Sequence, residues 1–340
     1  MSFINNMKET LEDKRVLSIQ SHVVYGYVGN RSSVFPLQLL KYEVDSINSV
    51  QLSNHTQYEK CTGQILSSDD LKTIFDSLKA NGINKYAAIL TGYVGDVKFL
   101  KMLGSIIKDL KAANPSAKYY CDPVLGDNGK IYVPEELIPV YKTVILQLAD
   151  VLLPNQFEAE LLTGCKISDE ASAIECMDML HDYGIPTVIF SSTELHNADE
   201  RGRLLTGYVS HRADLAAERR SNQSLEKLDM LGKKTATAQR IRITFPQLPG
   251  VFFGTGDLFS ALTLAYLERD GPMPDLKKVF YKVQCTMQSV LRRTIKHAES
   301  LRADPNCPLP YSACYELRLI QSAMDILSPP ECSSVTVMDV

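Results

Sequence analysis

The chain has 340 residues, 45% of them apolar, with 36 basic against 40 acidic side chains and a formal net charge of −4. That length suits one large α/β domain or two small ones, and the apolar share is that of a globular protein with a core. The near-balance of charge gives no support to nucleic-acid binding, and no apolar run reaches the roughly 18 residues of a membrane span, so neither nucleic acid nor a membrane is an expected partner.

Residues 1–14 are polar, lack an apolar signal core and read as a flexible extension. Short apolar runs then alternate with helical patterns. Strands are expected at Arg15–Gln20, Val44–Leu52, Ala87–Thr91, Lys118–Asp122, Asp150–Leu153 and Thr187–Ser191. They read as continuous buried runs, which suits strands covered on both faces. Leu71, Ile74, Phe75 and Leu78 follow helical spacing, with Ser67 or Ser68 as cap and Gly82 as stop. Ala173, Ile174, Met177 and Leu180 repeat it between Ser168 and Gly184. The alternation predicts an α/β fold with a mainly parallel sheet and helices on both faces. Residues 211–240 break the rhythm with a polar, Arg- and Lys-rich stretch, read as a long surface excursion. Arg240–Phe245 alternates like an edge strand, and a long helix is expected over Asp275–Leu301. This places a single domain over 15–328, with 329–340 as a flexible tail.

The eight cysteines form no CxxC pair and no Cys/His metal spacing. Free thiols and a reducing, cytoplasmic compartment are the expectation.

The strongest local signal is Gly254-Thr255-Gly256-Asp257 followed by an apolar run. The glycines let the backbone approach a ligand, and the run reads as a buried helix whose N-terminus suits an anion such as a phosphoryl group. Asp257 suits two roles there, helix cap or general base toward a substrate hydroxyl. No GxxxxGK[ST] loop occurs, and no GxGxxG follows the first strand, which weighs against a nicotinamide oxidoreductase. Ser21 ends the first strand, at the edge where open α/β sheets bind ligands. Asp122 and Asp127 follow a buried strand, where paired carboxylates suit Mg²⁺ or turn chemistry. Asn155 and Glu158 follow Pro154, where they suit phosphate and a metal-bound water or helix capping.

The tetrapeptide resembles the anion-hole motif of ribokinase-like enzymes. Further blocks resemble the pyridoxal (vitamin B6) kinases in order and spacing: Ser18-Ile19-Gln20-Ser21-His22-Val23 with Gly26-Tyr27-Val28-Gly29-Asn30, Asn48-Ser49-Val50-Gln51 with Ser53-Asn54-His55-Thr56, and Leu90-Thr91-Gly92-Tyr93. Cys121-Asp122-Pro123-Val124-Leu125-Gly126-Asp127 and Pro154-Asn155-Gln156-Phe157-Glu158-Ala159-Glu160 complete the series, so that the resemblance spans Arg15 to Asp325. It implies ATP-dependent phosphorylation of the 5′-hydroxymethyl group of pyridoxal, pyridoxine or pyridoxamine. Asp257 would be the base, with Gly254, Thr255 and Gly256 at the migrating phosphoryl group and Ser21, Val28, His55, Thr56 and Tyr93 around the vitamer. ATP contacts would come from Asp122, Asp127, Tyr132, Asn155, Glu158, Ser191, Ser192 and Thr255. Asp122, Asp127, Glu158 and Ser191 would serve Mg²⁺ and a monovalent cation, K⁺ or Na⁺. A homodimer is implied by the family alone.

Three departures stand out. Leu153 replaces the family's threonine beside the phosphate and monovalent-cation site, the loop after Asp127 is short, and the excursion at 211–240 is long. They leave open a catalytically weak vitamer-binding or scaffold protein. Within the kinases, another hydroxymethyl heterocycle or a sugar is the alternative substrate.

Overall fold

The computed structural model describes residues 14–199, 202–223, 238–269, 271 and 274–340. The expected extension at 1–14 lies outside the described residues apart from Lys14. In chain order the strands are β1 (Arg15–Val23), β2 (Glu43–Leu52), β3 (Gly63–Ile65), β4 (Ala88–Thr91), β5 (Lys118–Cys121), β6 (Gly126–Asp127), β7 (Lys130–Ile131), β8 (Val151–Leu152), β9 (Thr187–Asp199), β10 (Gly202–His211), β11 (Gln239–Pro246) and β12 (Thr336–Asp339). The helices are α1 (Asn30–Leu39), α2 (Ser68–Ala80), α3 (Val97–Ala113), α4 (Leu137–Val140), α5 (Gln156–Thr163), α6 (Glu170–His181), α7 (Ala213–Gln223), α8 (Thr255–Arg269), α9 (Leu276–Arg302), α10 (Tyr311–Cys314) and α11 (Ala323–Leu327).

One ten-stranded sheet runs β12-β11-β10-β9-β8-β5-β4-β1-β2-β3, and β6 and β7 make a separate hairpin. The stretch from β9 through β8, β5, β4 and β1 to β2 is parallel. Neighbouring residues of one strand feed opposite cores. Leu17, Ile89, Tyr119 and Leu152 join one apolar cluster with α2, α3, α5 and α6. Val16, Leu90, Tyr120 and Leu153 join the other, with α8 and α9. Burial on both faces is why these strands read as unbroken apolar runs. The parallel strands end along one edge, where open sheets bind ligands.

The helix expectations meet their caps. Ser67 and Asp70 form a reciprocal capping box on α2, and Asp275 caps α9. On α6 the cap is Asp169, paired with Ser172, rather than Ser168.

Three sequence expectations need correction. Thr187–Ser191 is only the first part of β9, which runs on to Asp199 and pairs antiparallel with β10, a strand the sequence reading left out. Arg240–Phe245 is not an edge, because residues 329–340 do not end as a free tail. Thr336–Asp339 pairs with β11, Ile241 opposite Asp339, and Val335 buries its side chain at 4% exposure. That pairing gives the last residues backbone partners and an apolar anchor. Residues 211–240 are not all excursion. His211 closes β10, 213–223 form α7, and 224–237 lie outside the described residues. Arg219 holds α7 to the sheet by donating to the carbonyls of Gly184, Leu148 and Gln147 and to Asp150, a use of guanidinium donors that no local pattern announces.

Candidate active site

Two loops meet at the ligand-binding edge. The first leaves β1 and enters α1 through Gly26 and Gly29, both with positive φ (98° and 54°). The second precedes α8 and contains Gly254, φ 75°. A Cβ on Gly254 would stand 1.8 Å from the Tyr27 carbonyl oxygen, and one on Gly29 would stand 2.0 Å from that of Ser21. Only glycine permits these approaches. The Gly29 N–H donates to Asp257 Oδ2 at 2.7 Å. Ser32 donates to the Gly254 carbonyl at 2.9 Å and Ser33 to the Asp257 carbonyl at 3.0 Å. The first turn of α1 thereby fixes the first turn of α8.

Asp257 lies in that first turn of α8. Burial raises its pKa against the opposing hydrogen bond from Gly29. Asp122, directly after β5, is 6% exposed and accepts from Ser260 Oγ at 2.8 Å. A Cβ on Gly256 would lie 3.8 Å from Asp122 Oδ2, so this carboxylate faces the anion hole. Burial, and then the charge of Asp257, push Asp122 up to about 7, while Ser260 works against both. Glu158 is also raised, by burial and then by the charge of Asp122. Asp122 thus feels the charge of Asp257, and Glu158 that of Asp122, a setting that favours a cation beside Asp122.

The other expected metal and nucleotide residues divide. Glu158 accepts from the N–H groups of Leu125 and Asn155, both at 2.9 Å, and of Gly126 at 3.4 Å. With Asn155 it forms the capping box of α5, and Asn155 Nδ2 also donates to the Gly126 carbonyl at 2.8 Å. Both do the work of helix capping. Asp127 is exposed on the β6–β7 hairpin and is engaged by the backbone and side chain of Asn128. Asn128 and Gly129 both take positive φ, the tight Asn-Gly hairpin turn that makes this loop short. Tyr132, at 52% exposure, directly follows it, and its hydroxyl is raised by burial and then by Asp127 and Glu158. Among the described residues, no three His, Cys, Asp or Glu side chains form a ready-made metal cluster. Asp122, Asp127, Glu158 and Ser191 are therefore not one cage, which suits Mg²⁺ held largely by phosphate oxygens and water.

Ser191, Ser192, Thr255 and Gly256 line one cleft of about 240 Å³. Phe245, Gln284 and Met287 complete it, and sequence reasoning missed them because nothing local separates them from core residues. Leu153 is 3% exposed within the apolar cluster that holds Leu258 and Leu262, so its side chain sits in the core.

The expected vitamer wall is partly assembled. Ser21 packs on Gly29, and Val28 adjoins Gly254. His55, 6% exposed, lies with its ring centroid 4.4 Å from that of Phe253, directly before the anion-hole glycine. At the end of β1 the register with β2 slips by one residue, the extra one on β2. There Ser49 donates to the Tyr93 carbonyl at 2.8 Å, tying half-buried Tyr93 to this edge. Thr56 is exposed beside His55. Sequence reasoning missed Phe253, Tyr58 and Glu316, which surround His55. Only the position of Phe253 next to Gly254 could have flagged one of them.

Comparison with known proteins gives this geometry a family. The family model described as phosphomethylpyrimidine kinase matches residues 46–276. The pyridoxal kinase of Homo sapiens is 43% identical over 331 residues, covering 96% of this chain and 99% of the relative. That of Arabidopsis thaliana is 42% identical, covering 93% of this chain and 92% of the relative. Among solved structures, the Leishmania donovani pyridoxal kinase in complex with ADP and pyridoxamine superposes with a TM-score of 0.79 at 30% identity, over 96% of this chain and all of that one. The Trypanosoma brucei pyridoxal kinase gives a TM-score of 0.76 at 28% identity, over 97% of this chain and all of that one. At this identity over nearly the whole of both chains, the protein belongs to the pyridoxal kinase family of ribokinase-like enzymes.

Proposed function

We propose that the chain transfers the γ-phosphoryl group of ATP to the 5′-hydroxymethyl group of pyridoxal, pyridoxine and pyridoxamine, with Asp257 as the general base. The observation that carries the role of Asp257 is the 2.7 Å hydrogen bond from Gly29, which sets the carboxylate between the wall loop and the N-terminus of α8. Its raised pKa makes it a stronger base than a solvated aspartate. The substrate oxygen attacks the γ-phosphorus, its proton passes to Asp257, and the bond to the ADP oxygen breaks. The first turn of a helix leaves N–H groups without intrahelical partners, so the backbone at Gly254 to Gly256 stabilises charge on the moving phosphoryl group.

Ser21, Val28, His55, Thr56 and Tyr93 form the vitamer wall, and the cleft at Ser191, Ser192 and Thr255 takes the nucleotide. Asp122 would hold Mg²⁺ through water, with Asp127 and Glu158 assigned to the same end of the site. When bound, the metal neutralises the β- and γ-phosphate oxygens. A monovalent cation, K⁺ or Na⁺, would lie near Asp122 and Ser191. The apolar surroundings of Leu153 favour its backbone carbonyl over any side chain as an oxygen ligand. All eight cysteines are free thiols, which supports a cytoplasmic setting. Family membership supports a homodimer.

Three outcomes test this reading. Asp257→Asn is expected to lower kcat by a factor on the order of 10² to 10⁴ with the vitamer KM little changed, measured by coupled assay. A kcat within a few-fold of the parent removes Asp257 from the mechanism.

Asp122 gives a pH signature. Its pKa rises from an ordinary 3.8 to about 7 on folding. Between those values the folded state holds more protons than the unfolded one, so the Asp122 contribution falls as pH rises and levels off above about 7. Asp122→Asn keeps an oxygen for Ser260 and removes this dependence. Urea unfolding of the metal-free proteins is expected to show the variant gaining on the parent from pH 5 to pH 8. A constant difference contradicts the assignment.

Leu153→Thr tests the departure from the family. The expected result is superimposable K⁺ activation curves at fixed Mg²⁺ and ATP, with a stability loss of about 2–4 kcal/mol from the truncated core side chain. Half-activation at clearly lower K⁺ in the variant would show instead that a hydroxyl at this position supplies an ion ligand.

A further inference from the structure

Glu316 reaches the site from a distant part of the chain. It follows α10, two residues after Cys314 and directly before Leu317, which are 1% and 0% exposed. Its segment is seated on both loops that flank the wall. Ser312 donates to the Gln57 carbonyl at 3.2 Å, and the Tyr315 and Phe252 rings meet edge-on at 5.9 Å. The Glu316 side chain, 10% exposed, then gathers three donors. Oε2 accepts from the Tyr27 N–H at 2.9 Å, and Oε1 from the Tyr58 hydroxyl at 2.9 Å. His55 Nε2 stands 3.2 Å from Oε1, within ion-pair distance though not aligned as a hydrogen bond. The Gln57 N–H approaches His55 Nδ1 at 3.4 Å, which makes Nδ1 the acceptor and puts the proton of the neutral ring on Nε2, facing Glu316. A Cβ on Gly26 would fall 2.3 Å from Oε1, so the turn into α1 is shaped around this carboxylate.

An ionised carboxylate only accepts, and every group around it is a donor. The same three groups lead to the reacting region. Tyr27 carries the carbonyl against Gly254, His55 stacks on Phe253, and Tyr58 packs on His55 with ring centroids 4.7 Å apart.

We propose that Glu316 is a positioning residue for the vitamer, holding His55, Tyr58 and the Gly26–Tyr27 turn in the one arrangement that forms the wall beside Asp257. It rests on the reading of His55 as part of that wall. Glu316 is not among the residues that line the cleft at Ser191 and Ser192, and its own bonds go to the wall side, so its main effect is expected on the vitamer, while neighbouring Tyr315 packs on Phe252 of the cleft.

The test is Glu316→Gln beside Tyr58→Phe, the double variant and His55→Ala, each assayed for the KM of pyridoxal and the KM of ATP. Glutamine can keep its oxygen for the Tyr27 N–H, but it removes the charged acceptor that His55 and Tyr58 face, and only Tyr58 can reverse its hydroxyl to accept. Glu316→Gln is expected to raise the pyridoxal KM about tenfold, with the ATP KM and kcat within about twofold. Tyr58 and Glu316 share one hydrogen bond, so the double variant is expected to fall well short of the product of the single effects. An unchanged pyridoxal KM in Glu316→Gln overturns the proposal, and so does an equal rise in both KM values, which marks a general loss of structure. If His55→Ala raises the pyridoxal KM and Glu316→Gln does not, only the role of Glu316 falls. If His55→Ala also has no effect, the wall assignment falls and the proposal with it.

Discussion

The active site depends on a backbone-to-backbone contact between two loops far apart in sequence. Gly254 lies against the Tyr27 carbonyl so closely that no β-carbon fits, and Gly29 binds Asp257 through its N–H. Neither contact is a large energy by itself, since a hydrogen bond to a charged group contributes about 1.5–3 kcal/mol. Their importance is geometric. They place the carboxylate, the helix N-terminus and the substrate wall within one rigid junction, so little reorganisation remains when the substrate arrives.

Around that junction the electrostatics are arranged in tension. Asp122 and Glu158 are buried carboxylates and Asp257 a partly buried one, and the pKa values of all three rise. A protein folding for stability alone would pair or remove them, because unpaired buried charge is costly. Their retention fits a site completed by cations and phosphates. Glu316 shows the opposite arrangement, a buried carboxylate met on each side by donors.

What the sequence made legible was local. Buried runs such as Ala88–Thr91 announced parallel strands, Ser67 or Ser68 announced a helix start, and the apolar run after Asp257 announced a buried helix. What stayed hidden was pairing at a distance. β10 stayed hidden because Thr206, Gly207 and Ser210 interrupt its apolar run although 206–210 are all buried, and β12 is a four-residue strand that exists only because β11 offers it an edge. Phe245, Gln284 and Met287 look like core until the cleft is seen, and Glu316 looks like a surface charge. Asn155 and Glu158 carry two readings at once, since residues that match a family's nucleotide site also serve here as the cap of α5. Leu153 reads as a lost ligand in sequence and as a core residue in space.

The central claim is that loop-to-loop contact, and not merely the presence of Asp257, sets the catalytic geometry. Gly254→Ala tests it directly, because it keeps the backbone N–H, Asp257 and every wall residue while forcing a β-carbon against Tyr27. The account predicts that kcat falls by about 10² or more, the scale expected for a misplacement of about 1 Å, in a protein whose circular dichroism remains native. A folded variant with kcat within about twofold of the parent would contradict it.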